Sequence, residues 1–105
     1  MLDHYIVNFF AGVLLCNCIP HLAAGLRGEP FPTPFARPHG VGLSSPVLNF
    51  LWGTLNATVG IAFLAFRPIV LRVNLETASF LIGFLLIGIF LSLHFAKVRQ
   101  NNFQK

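Results

Sequence analysis

The side chains with the most chemistry in this chain are a few cysteines, histidines and amides set among apolar residues. Cys16, Cys18 and His21 form a C-x-C-x-x-H run, and His39 follows later. Cys18, His21 and His39 are the candidate metal ligands, because thiolate and imidazole suit a transition metal. The spacing weakens that assignment. Residues two apart on a helix point to nearly opposite sides, so Cys16 is splayed away from Cys18 and a disulfide between them is geometrically unfavourable. His21 has three readings: a group that titrates near neutral pH, a metal or haem ligand, or a hydrogen-bonding residue that fixes the following loop through a loop carbonyl or Asn17. Structural bonding is the expected role. A haem would need two axial ligands at similar depth, which His21 and His94 satisfy, although His94 is more simply an interfacial residue beside Lys97. No cofactor is expected.

Catalytic constellations are missing from the sequence. It has no Ser-His-Asp set, no H-E-x-x-H, no Gly-rich phosphate loop and no paired carboxylates, and its only acids are Asp3, Glu29 and Glu76. Ser44 and Ser45 read as helix-capping residues rather than nucleophiles. The chain is therefore not expected to be an enzyme.

The amides fall on stripes. Asn49, Gly53, Asn56 and Gly60 are spaced 4, 3 and 4 apart, which puts them on one face of a helix, with Thr54 and Thr58 flanking it. Asn8, Gly12 and Cys16 repeat the pattern, and Asn17 shares a face with His21. Such stripes either line a polar path or serve close helix packing with interhelical hydrogen bonds. Packing is the expected use.

Composition says what must carry these residues. Only 10% of the 105 residues are charged, against a usual ~25%, and twelve are Phe. A small soluble domain could not cover its surface with so few polar side chains, so the expectation is an all-α integral membrane protein. The net charge of +4 comes from scattered residues, most of them where apolar runs end, and forms no basic stripe of the kind that binds nucleic acid. Three spans are predicted within one domain, 1–105: helix 1 over 5–26, helix 2 over 46–66 and helix 3 over 75–96. A polar, frayed tail at 97–105 is expected. The first span is not read as a cleaved signal, since Met1-Leu2-Asp3-His4 lacks a basic start. Pro20 is expected to loosen its helix. The short link between helices 2 and 3 predicts that these two are antiparallel neighbours.

Between helices 1 and 2 lies an ordered Pro/Gly-rich loop, 27–45. The segment 27–49 holds five of the seven prolines. In Phe31-Pro32-Thr33-Pro34-Phe35 the alternation favours an extended backbone that cannot join a sheet ladder. Gly40 and Gly42 allow turning. Ser45 reads as an N-cap with Pro46 at the first helical position. Phe31 and Phe35 would be unfavourable in water and should pack over helix ends or enter the interface, and Trp52 sits at interface height. A partner-binding role is the competing reading for this run.

Arg27, Arg37, Lys97, Arg99 and Lys105 share one side, against Arg67 and Arg72 on the other. That bias puts the loop and C-terminus in the cytoplasm and the N-terminus outside.

The run H-x3-G-x2-G-x2-F-P-T-P-F followed by G-x-G-x-S-S-P-x2-N-x2-W-G-x2-N covers His21, Gly25, Gly28, Phe31 to Phe35, Gly40, Gly42, Ser44 to Pro46, Asn49, Trp52, Gly53 and Asn56. It resembles a group of small bacterial membrane proteins without an assigned activity. The resemblance implies a bacterial inner membrane and brings no substrate or cofactor. The leading expectation is a non-enzymatic protein acting through helix–helix assembly, as a homo-oligomer or as an accessory subunit of a membrane complex. The alternatives are an oligomeric solute, ion or proton pathway lined by Asn and His, and a small haem- or metal-binding membrane protein.

Overall fold

A computed structural model describes residues 2–69 and 72–103. Val70 and Leu71 of the helix 2–3 link, Gln104 and Lys105 of the tail, and Met1 of the charge-poor start lie outside the described residues. The chain is all-α with one small exception: α1 (Leu2–Leu26), β1 (Phe31–Pro32), β2 (Leu43–Ser44), α2 (Pro46–Phe66) and α3 (Leu75–Phe103). All three helices are long and apolar enough to cross a membrane.

Local chemistry sets most boundaries. Ser45 is extended at φ −63° and ψ 158°, and its hydroxyl accepts from the Leu48 N–H, with Pro46 opening α2. Asn74 caps α3 by accepting from the Thr77 N–H at 2.8 Å. Gly28 closes α1 in the left-handed region at φ 72°, and the Glu29 N–H reaches back to the Ala24 carbonyl at 2.9 Å. Two ends differ from the sequence reading. α1 begins at Leu2 rather than Tyr5 and runs through Pro20. α3 continues to Phe103 where a frayed tail was expected, and Val98 in that extension is buried beside the loop. Polar residues after 96 end the apolar run without ending the helix, because Lys, Arg and Gln are good helix formers.

The packing also departs from expectation. α2 and α3 are not packed neighbours; each lies along α1 and they barely meet. A short link constrains where two ends sit, not which faces join. α1 is the helix with close-approach surfaces on two sides. Toward α3, a Cβ at Gly12 would land on the Phe80 carbonyl and one at Gly83 on the Phe9 carbonyl. Toward α2, Gly25 meets the backbone of Pro46 and Phe50, Gly53 meets Leu22 and the Cys18 carbonyl, and Gly60 meets Leu15. Small residues let the backbones come this close.

α2 runs antiparallel to α1, whereas α3 runs parallel to it, with contacts climbing in step from Tyr5–Ser79 through Phe9–Gly83 to His21–Phe95. Arg67 at the end of α2 pairs with Asp3 at 2.6 Å, and the Ser79 hydroxyl donates to the Tyr5 carbonyl at 2.7 Å. The N-terminus and the helix 2–3 link thus share one end, and the loop and the end of α3 share the other. α3 is the outlying element: 6% of its apolar window is buried, against 33% for α1.

The loop contains a short antiparallel ladder, Phe31 opposite Ser44 and Pro32 opposite Leu43. This corrects the reading that the prolines exclude sheet pairing. Each strand of a two-stranded ladder has a free edge, where a missing N–H does no harm.

Candidate functional site

The polar side chains concentrate where the loop meets the helices. Asn49, one turn into α2, is fully buried. Its amide nitrogen donates to the carbonyls of Phe31 (3.0 Å), Ser44 (3.2 Å) and Ser45 (3.1 Å). Those three acceptors fix the amide's orientation, so its oxygen faces His21 Nδ1 at 2.8 Å and accepts a hydrogen bond from it. His21 is 3% exposed, and its ring meets Phe31, Trp52 and Phe95 edge-on. The expected bonding role thus has a different partner: neither Asn17 nor a loop carbonyl, but an α2 amide that itself grips both ladder strands.

Thr33 is the second anchor. It is 1% exposed, and its hydroxyl bonds that of Ser44 at 2.5 Å and accepts the Phe35 N–H at 3.2 Å. Its carbonyl accepts from Ala36 (3.3 Å) and Gly40 (3.0 Å). Ser44 is therefore a ladder residue bonded to Thr33, not a helix cap. Gly40 sits at φ 71°, and His94 Nε2 donates to its carbonyl at 2.7 Å, tying the loop to α3. His39 Nδ1 donates to the Pro34 carbonyl at 2.5 Å.

Asn17 and Asn56 bond each other across α1 and α2 at 3.1 Å, and the Asn56 amide also donates to the Trp52 carbonyl at 2.9 Å. Gly53 and Gly60 lie on the same buried stripe of α2. Phe35 stacks edge-on over Trp52, with centroids 4.9 Å apart. Phe35, Leu43 and Val41 remain 56%, 57% and 37% exposed. The Cys18 thiol is engaged within its own helix by the Leu15 carbonyl. Asn8 stands apart: it is fully buried, and neither amide atom has a hydrogen-bond partner among the described residues. At the rim, Arg27 lies 3.1 Å from Glu29 and holds its carboxyl below the usual range through a hydrogen bond and charge attraction.

Among the described residues, no three His, Cys, Asp or Glu side chains gather as metal ligands. Cys18, His21 and His39 are thus not brought together as a set. What the cluster does chemically is match donors to acceptors around one loop. Sequence reasoning did not find the Thr33–Ser44 bond or the His94–Gly40 bond. Phe31 and Leu43 flanking a Gly-containing stretch was the available signal for the first; the second had none.

Comparison with known proteins adds no relative: no family model, no curated protein and no solved structure matches the chain.

Proposed function

We propose that this is a non-enzymatic multi-pass membrane protein that presents its 27–45 loop at the membrane surface to another membrane protein, as an accessory subunit. One observation carries the reading. A fully buried asparagine makes four hydrogen bonds that hold a loop, while the loop leaves Phe35, Val41 and Leu43 exposed. Buried polar groups are unfavourable in a bilayer unless fully matched. Here His21, Asn49, Thr33 and Ser44 are matched by fixing a surface, and a preformed apolar surface binds a partner without an ordering penalty.

The homo-oligomer has less support than the stripes suggested. Gly12, Gly25, Gly53, Gly60 and Gly83 are all used in packing within one chain. The pathway reading also weakens, because Asn49 and Asn56 are buried and bonded. We place the protein in a bacterial inner membrane with the loop and C-terminus cytoplasmic, on the signature run and the five-to-two bias of Lys and Arg.

The test is native mass spectrometry of the tagged chain from its own membranes in mild detergent. A heteromeric mass that disappears with Phe35→Ser, at unchanged helicity, is the expected result. A bare single chain or a homo-oligomer overturns the reading.

A further inference from the structure

We propose that the cleft between α2 and α3, roofed by the loop, binds a neutral, lipid-soluble molecule carrying a hydroxyl donor on an aromatic ring: a phenol or quinol. The cavity measures about 340 Å³. α1 supplies Asn17 and His21, the loop His39, α2 Trp52, and α3 Phe90 and His94. α2 and α3 barely meet, which leaves this space open on the face of α1.

The hydrogen-bond network settles which cavity groups donate and which accept. His39 and His94 face backbone carbonyls, which only accept, so His39 carries its proton on Nδ1 and His94 on Nε2. His21 carries its proton on Nδ1, toward the Asn49 oxygen. In its neutral form each ring keeps its other nitrogen as an acceptor. Asn56 gives its N–H to the Trp52 carbonyl and takes one from Asn17, which leaves the Asn17 oxygen as a fourth acceptor. Against these stand two donors, the second N–H of the Asn17 amide and the Trp52 indole N–H, which is buried and unpartnered among the described residues. A cavity rich in acceptors selects a donor. No carboxylate lines it among the described residues, so nothing there offsets a cationic guest. Its walls are aromatic, with Phe90 and His94 stacked in parallel at 5.9 Å, which fits a flat ring. Phe90 is 58% exposed on the outer face of α3, so entry from the lipid side is open. The hydroxyl then donates a hydrogen bond to an imidazole nitrogen.

Trp52 is the only tryptophan in the chain, so it reports on its own site. Incorporating 5-fluorotryptophan in phosphatidylcholine nanodiscs gives one fluorine resonance. Titration with 4-butylphenol should move it saturably, and 4-butylanisole at matched bilayer concentration should bind about tenfold more weakly, having lost the donated hydrogen bond. Phe90→Ala, which breaks no hydrogen bond, should weaken the phenol several-fold. Equal responses to phenol and anisole, a shift that never saturates, or phenol binding unchanged in Phe90→Ala would each overturn the proposal.

Discussion

Asn49 is the residue on which the loop depends. Asparagine→leucine keeps the volume but strips one donor group serving three carbonyls and one acceptor serving His21. The groups left behind are buried, and each unmatched one costs about 1–3 kcal/mol. Asn49→Leu should lower unfolding stability by about 2–4 kcal/mol in a reversible detergent or chaotrope titration, well beyond what removal of one exposed hydrogen bond would do. Glu29 offers a contrasting case at the rim. Its carboxyl is depressed by Arg27, so the pair's contribution is present above the unfolded-state pKa and is lost as pH falls through the lower folded value. Both side chains are 58% exposed, and solvent screening keeps that contribution small. A carbon-13 titration of Glu29 should show a midpoint below 4.5, returning toward it in Arg27→Gln.

Some residue roles could be read from the sequence and some could not. The stripe Asn49, Gly53, Asn56, Gly60 is a matter of helical period, and all four residues are buried together. Ser45 and Pro46 announced the start of α2 by capping chemistry. His21 was visible as a structural residue, but its partner was not. A bond across 28 residues of sequence depends on how two helices are rotated, and periodicity carries no information on that.

Elements were legible as lengths and hidden as neighbours. Three apolar runs gave three helices, yet the link after α2 suggested an α2–α3 pair that the structure does not contain. The deciding fact is where backbones can touch, and that is read from Gly12 and Gly83 together, one on each side of the α1–α3 seam. Two single-methyl substitutions separate this effect from backbone freedom. In Gly12→Ala the new methyl meets the Phe80 backbone, so α3 must shift, at about 1–3 kcal/mol or more. In Gly28→Ala nothing lies within 4 Å, and only the positive φ of 72° opposes the change, at about 1 kcal/mol. A disulfide crosslinking pair placed across α1 and α3 should therefore form poorly in the first variant and normally in the second.

At the scale of the molecule, the structure divides into a seam-built helical support and a loop fixed on one end of it. α1 and α2 are joined by buried amides at two levels, Asn17–Asn56 and His21–Asn49, and the upper level continues into the loop. α3 holds the loop through the His94 hydrogen bond and through Phe95, whose ring lies 4.6 Å from that of Phe31, and turns most of its apolar surface outward. This division is why the loop is the proposed working surface: the helices are matched to one another, whereas Phe35 and Leu43 remain exposed.

The claim beneath the functional reading is that buried side chains hold 27–45 in one shape. Amide hydrogen exchange in nanodiscs tests it directly. The Phe35, Ala36, Gly40 and Gly42 N–H groups are all hydrogen-bonded within the loop. They should exchange at least a hundredfold more slowly than free peptide, an opening free energy of about 2.7 kcal/mol, and should lose that protection in Asn49→Leu while the helices keep theirs. Exchange at free-peptide rates in the unmodified protein would contradict the account.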